Sequence, residues 1–225
     1  MAQSTKNSQT LTSELIAAEA LQLADEEGLD KLTVRRLATR IGIGTMTFYG
    51  YFRSKEEILD AMADLALGSL ELPAAPAGGK QPSESIATVA NAFRTLMHDH
   101  PSVAQILSSR VTESPRARRG AMESVIDHMI ASGIPGPLAV RCYGFIVVYS
   151  LGFASYRAPR SWADEDATDH DELRRQQSHR YAALSTTEFP HLVSLRDSII
   201  DLPSPSQFTF GIECLIAQVQ RELAD

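Results

Sequence analysis

No aspartate or glutamate occurs between Lys31 and Lys55, although the whole sequence carries 28 acidic against 21 basic residues and a net charge of −7. The overall balance excludes a surface attracted to nucleic acid everywhere, and the gap leaves one stretch where a polyanion could bind. Cysteine is nearly absent, with Cys142 and Cys214 the only two. Two isolated thiols exclude a disulfide framework, and both are expected as small, inert core residues. The longest apolar candidate, around 144–156, is shorter and more interrupted than the ~20 residues a bilayer needs, so no membrane span is expected. The opening MAQSTKNSQT lacks the apolar segment of a secretory signal, and a cytoplasmic location is expected. Signatures of a nucleophile elbow, a paired-histidine zinc site and a phosphate-binding P-loop are all missing. Six histidines are scattered at 98, 100, 128, 170, 179 and 191. No catalytic residue, metal ligand or cofactor is therefore assigned. An enzyme built on a triad assembled in space is the reading these absences favour least.

What is present is helical periodicity. Leu15, Ile16, Ala20, Leu23 and Ala24 form one stripe over 11–27, and Gly28 ends it as a C-terminal glycine would. Thr33 can cap a short helix, VRRLATRI, with Leu37 and Ile41 inward. A Gly42-Ile43-Gly44 turn follows, then a segment from Thr45 to Phe52, then a Ser54–Glu57 capping box opening a fourth helix. The Pro- and Gly-rich stretch 72–82 reads as a flexible connection. Beyond it, helices are expected at 83–99, 102–110, 115–132, 137–157, 171–186 and 205–223, with an acidic loop at 161–172. Strand-like alternation and internal repeats are absent. The expected class is all-α, with a helix-turn-helix three-helix domain at 1–71 and a helical domain at 72–225.

The two short helices have the spacing of a helix-turn-helix, whose second helix, here about 45–52, enters the DNA major groove. On a helical wheel Phe48 and Phe52 share the core face. The outward face then holds Met46, Thr47, Tyr49 and Gly50, without charge. Thr45 opens this helix. Thr47 can bond a base edge or touch a thymine methyl, and Tyr49 can reach a phosphate. Lys55 lies in the first turn of the next helix, where backbone N–H groups already favour phosphate. Arg35 and Arg36 lie in the first turns of the helix that crosses the DNA backbone. Tyr51 is divided evenly between DNA contact and packing between helices. Gly50 lowers helix propensity by about 1 kcal/mol relative to alanine but lets the backbone approach the bases closely.

The segment 32–62, LTVRRLATRIGIGTMTFYGYFRSKEEILDAM, resembles the DNA-binding domain of the TetR family of bacterial transcriptional repressors. The resemblance rests on Leu32-Thr33, Arg36-Leu37-Ala38, Gly42-Ile43, Phe48-Tyr49, Phe52, Ser54-Lys55-Glu56 and Leu59, and spans roughly 12–62. It implies a homodimer that sets one recognition helix into each half of a near-palindromic operator. It implies a C-terminal domain that binds an inducing small molecule, with dimerisation through a four-helix bundle. Two departures stand out: Gly50 removes a side chain that usually contacts DNA, and Tyr51 replaces a usual histidine. The operator therefore cannot be borrowed from a relative. FTFGIECLIAQVQREL (208–223) looks like the tetracycline-repressor type of C-terminal domain. Relatives that bind a magnesium–drug complex carry a histidine on a short helix where VAQILSS stands here, which makes tetracycline an unexpected ligand.

The helix 137–157 is apolar on nearly every side, so all its sides require cover. One face can pack on its own domain and another, with 205–223, on a partner subunit; filling a monomer core is the alternative. A mostly apolar ligand site is expected among 83–99, 102–110, 115–132 and 137–157. Its candidate liners are Phe93, Met97, Ile106, Arg110, Met122, Phe145 and Tyr149, with Trp162 near the rim. Arg110 stands out because an arginine in apolar surroundings needs a partner. His98 and His100, two apart on a helix, do not converge on a metal and read as a solvated helix end. The expected function is a repressor released by a small apolar effector. Control by a protein partner instead is the alternative.

Overall fold

The computed structural model describes residues 11–73, 81–111, 114–160 and 168–224. Among these residues every regular element is helical, and the two-part all-α architecture expected from the sequence is present. The N-terminal part holds α1 (Ser13–Glu27), a short 3-10 turn (Leu29–Lys31), α2 (Val34–Ile41), α3 (Thr45–Phe48) and α4 (Lys55–Gly68). Side-chain caps open α1, α2 and α4, whereas α3 starts after Gly44 without one. The side chains of Thr12, Thr33 and Ser54 accept from the backbone N–H of Leu15, Arg36 and Glu57. Gly28 and Gly42 end α1 and α2 at φ +96° and +81°, a region that favours glycine. Phe48 and Phe52, both buried, stack at 5.9 Å and fasten α3 into the core formed by α1, α2 and α4.

The C-terminal part holds α5 (Pro82–Asp99), α6 (Pro101–Ser109), α7 (Pro115–Ala117), a π-helical turn (Arg118–Glu123), α8 (Ser124–Ala131) and α9 (Gly136–Arg157). It continues with α10 (His170–Ala182), α11 (Pro190–Ser194), α12 (Arg196–Ile200) and α13 (Pro205–Ala224). The layer that matters for function is α5, α6, α9 and α13: α9 packs on α5, α6, α8 and α13, and α5 packs on α13.

Several expectations are corrected. The recognition helix stops at Phe48 rather than 52, because its last turn tightens: Gly50 N donates to Thr47 O and Tyr51 N to Phe48 O. Gly50 thus lies in a turn, and the helix-interior penalty does not apply to it. The helix expected over 115–132 is interrupted by the π turn, and that over 171–186 ends at Ala182. The short helices α11 and α12 were not expected. Cys214 is exposed rather than core; Cys142 is buried, and desolvation pushes its thiol up. At 22 residues, α9 is by length and composition apolar enough to cross a membrane, contrary to the reading of 144–156, but it packs against four other helices. Trp162 and most of the acidic loop lie outside the described residues, as does 74–80 of the connection.

The two parts share one continuous core, and their junction is tight. A Cβ at Gly120, on the π turn, would come within 2.6 Å of the Leu67 carbonyl and 2.9 Å of the Gly68 Cα. Backbone cannot yield as a side-chain tip can. Gly120→Ala should therefore destabilise the protein by about 1–3 kcal/mol. An unchanged melting temperature would contradict this account of the junction.

Candidate functional site: a DNA-facing helix and a lined cavity

The outward surface of α3 and its turn is built as the wheel suggests. Met46 is 83% exposed and Tyr49 50%. Thr45, Thr47 and Gly50 are exposed as well. Tyr49 rests edge-on against Phe48 at 5.9 Å, so its ring is held while its hydroxyl is free to reach outward. Tyr51 is 38% exposed, and its hydroxyl donates to the Leu11 carbonyl at 3.3 Å. This bond ties Tyr51 to the chain just ahead of α1. Lys55 opens α4 behind Ser54, and Glu57 folds back to accept from Arg53 N at 2.7 Å.

The basic window is less open than its sequence. Acids that end just before it return in space, because α1 lies against α2. Arg36 forms an ion pair with Glu27, and Arg40 binds Glu19 at 3.1 Å and Glu26 at 2.7 Å. The Arg40 guanidinium holds the Glu26 carboxyl below the usual range, helped by Gln22. Arg36 therefore also ties α1 to α2, with its side chain still about half exposed. Lys31, Arg35, Arg53 and Lys55 close no ion pair among the described residues.

The two parts are pinned to each other by polar contacts invisible in the sequence. Asp25 on α1 accepts from Ser102 N at 3.1 Å, Ser102 Oγ at 2.6 Å and His100 Nδ1 at 2.8 Å. It caps the first turn of α6 from another domain. His100 is accordingly half-buried in this junction, not part of a solvated helix end. Just past the other end of α6, Arg110 Nε donates to Asp60 Oδ1 on α4 at 2.8 Å. Asp60 is also the main reason its guanidinium is pushed up. Arg116 and Glu14 add an exposed pair at 2.6 Å.

A partly open cavity of about 380 Å³ lies among α5, α6, α9 and α13. Met97, Ala104, Gln105, Ser150, Phe153 and Phe208 are among its lining residues.

A family model described as Bacterial regulatory proteins, tetR family, matches residues 16–62, and one described as Tetracyclin repressor-like, C-terminal domain, matches 72–223. The chain belongs to the TetR family. As a TetR-family transcriptional regulator it carries its helix-turn-helix in α2 and α3. It is 31% identical over 224 residues to the HTH-type transcriptional repressor DrrR1 of Streptomyces coeruleorubidus, covering 96% of this chain and 82% of that one. It is 26% identical to the HTH-type transcriptional repressor Rv1353c of Mycobacterium tuberculosis, with coverage of 94% and 81%. Among solved structures it is similar to the TetR family protein ActR of Streptomyces coelicolor in complex with actinorhodin. That likeness has a TM-score of 0.75 and 27% identity, and covers 94% and 96% of the two chains.

Of the residues expected to line a ligand site in this regulator, Met97 lines the cavity, whereas Phe93, Ile106, Arg110, Met122, Phe145 and Tyr149 do not. Phe93 is core against Tyr143 at 6.2 Å. Tyr149 is spent between α9 and α13, donating to the Gln207 carbonyl at 2.9 Å and stacking on Phe208 at 5.2 Å. Its ring passes so close to Gly211 that a Cβ there would lie 2.4 Å away. Phe145 is 42% exposed and stacks on Tyr149 at 5.6 Å rather than lining the cavity. Arg110 found its partner in the DNA-binding part. The residues missed were Arg94, Ser150, Phe153, Arg157, Arg160 and Phe208. The rule that singled out Arg110, an arginine amid apolar neighbours, would have flagged Arg94 and Arg157.

Proposed function

We propose that the chain is a cytoplasmic repressor that binds a near-palindromic operator as a homodimer and leaves it when a small molecule enters the cavity. Residues 1–71 read DNA; residues 72–225 bind the effector and dimerise. Thr45, Met46, Thr47, Tyr49 and Gly50 meet the groove, Arg35 and Lys55 meet phosphates, and Tyr51 braces the helix. Dimerisation runs through α9 and α13, whose Val140, Val148 and Phe210 are 48%, 71% and 61% exposed in the protomer. The observation that carries ligand control is the position of α6. It lines the cavity with Ala104 and Gln105 and is tied at its start to Asp25 and, just past its end, through Arg110 to Asp60. A ligand pressing on α6 therefore acts on α1 and α4 through contacts already formed. The same cavity favours a small molecule over a protein partner as the controlling signal.

Operator binding is tested on a fragment selected from random DNA. With Arg35 and Lys55 of both subunits on phosphates, log affinity should fall with log salt at a slope of about −3.6. A flat response would remove DNA binding from the proposal. Ligand control is tested by screening compounds for thermal stabilisation and then for operator release. Stabilising compounds that never release the operator would leave the cavity without a regulatory role.

A further inference from the structure

The chemistry of the cavity identifies its ligand more closely, on the footing of the small-molecule reading above. Its volume of about 380 Å³ falls among ordinary small-molecule sites. Its lining has two characters. Met97, Phe153 and Phe208 form an apolar surface, and the cationic residues Arg94 and Arg160 line the same space. No aspartate or glutamate lines it among the described residues, in a chain whose net charge is −7.

Aromatic faces hold both of these cations. The Arg94 guanidinium stands 6.0 Å over the Phe208 ring and closes no salt bridge among the described residues. The Arg160 guanidinium lies 3.4 Å from the Tyr156 ring centroid and donates to the Tyr156 carbonyl. Such contacts orient a guanidinium without neutralising it, and its planar N–H fork stays suited to an oxyanion. A half-buried cation lacking a carboxylate gains most from an anionic ligand. A further group in the lining is also unanswered. Ser150 is 2% exposed, and its Oγ has no hydrogen-bond partner. Buried hydroxyls are normally satisfied, so this one awaits a polar atom.

We propose that the effector is an amphipathic organic anion. Its apolar body lies on Met97, Phe153 and Phe208, its acidic group faces Arg94 and Arg160, and one polar atom meets Ser150. This replaces the mostly apolar ligand expected from the sequence with a charged one.

The test compares two fluorescent probes with the same anilinonaphthalene body, one bearing a sulfonate and one neutral, on the full-length dimer. The sulfonate should bind about tenfold more tightly. A combined Arg94→Gln, Arg160→Gln variant should lose that advantage while holding the neutral probe within about twofold. Ala154→Trp, which fills the cavity from α9, should abolish both signals. Equal affinity for the two probes, or arginine substitutions that weaken both alike, would overturn the anion assignment and leave a neutral apolar effector standing. Fluorescence that survives Ala154→Trp would overturn it as well, since the probe then sits elsewhere. Binding of neither probe would sink both the anion assignment and the small-molecule reading.

Discussion

A Tyr49→Ala, Lys55→Ala double variant should bind its operator on the order of a thousandfold more weakly than the native protein. Each contact is a single hydrogen bond or ion pair to a phosphate, worth about 1 kcal/mol net. A dimer makes each of them twice, so four are lost together. Four such contacts sum to about 4 kcal/mol, and 1.4 kcal/mol is a factor of ten. The fold should survive, because Tyr49 is half exposed and Lys55 closes no ion pair. Tyr49→Phe refines the test: it keeps the edge-on contact with Phe48 and removes only the hydroxyl. Fluorescence anisotropy across salt concentrations is the measurement. A loss below about threefold, at unchanged melting temperature, would mean that the DNA-facing surface has been assigned to the wrong side of α3.

Val148→Glu should convert the dimer to monomers at micromolar concentration and remove specific operator binding. Val148 is 71% exposed in the protomer, at the middle of the long apolar helix α9. Gly144 and Gly152 lie one turn to either side, and a Cβ on either would meet nothing within 4 Å. That face therefore allows a partner helix to approach closely. A carboxylate there is desolvated in the interface from both subunits, at several kcal/mol each. A monomer reaches only one operator half-site and forfeits the cooperative gain of the second. Sedimentation equilibrium reads the assembly state. A variant that remains dimeric would move the interface away from α9.

The legibility of this chain depends on the range of the interactions involved. Helix positions were largely readable because their causes are local. Apolar spacing sets the buried face, Thr33 and Ser54 satisfy N–H groups three residues on, and Gly28 and Gly42 adopt backbone angles that other residues resist. The inward Phe48 and Phe52 and the outward Met46, Thr47 and Tyr49 follow from the same periodicity. The tightened end of α3 did not, because a helix of barely one turn lacks the length over which propensity and periodicity decide.

Charge partners were the least readable. The basic window around Arg36 looked open because the acids of α1 precede it in sequence. Folding brings Glu19, Glu26 and Glu27 onto the same surface. His100 looked solvated until α1 delivered Asp25 to it, and Arg110 looked like a ligand residue until α4 delivered Asp60. The cavity followed the same rule. Its outline is the space left by four helices, and a helical wheel does not say which neighbour stops short of closing it.

By itself, then, the sequence determined an all-α chain with a helix-turn-helix, its inward and outward residues, and the family these imply. All of these rest on contacts within about one or two turns of helix. The tertiary structure alone decided which arginines remain open cations, how α6 ties the cavity to the DNA-binding helices, and that Arg94, Ser150 and Arg160 share one space. Those properties belong to pairs of residues far apart in the chain, and only packing brings them within reach of one another.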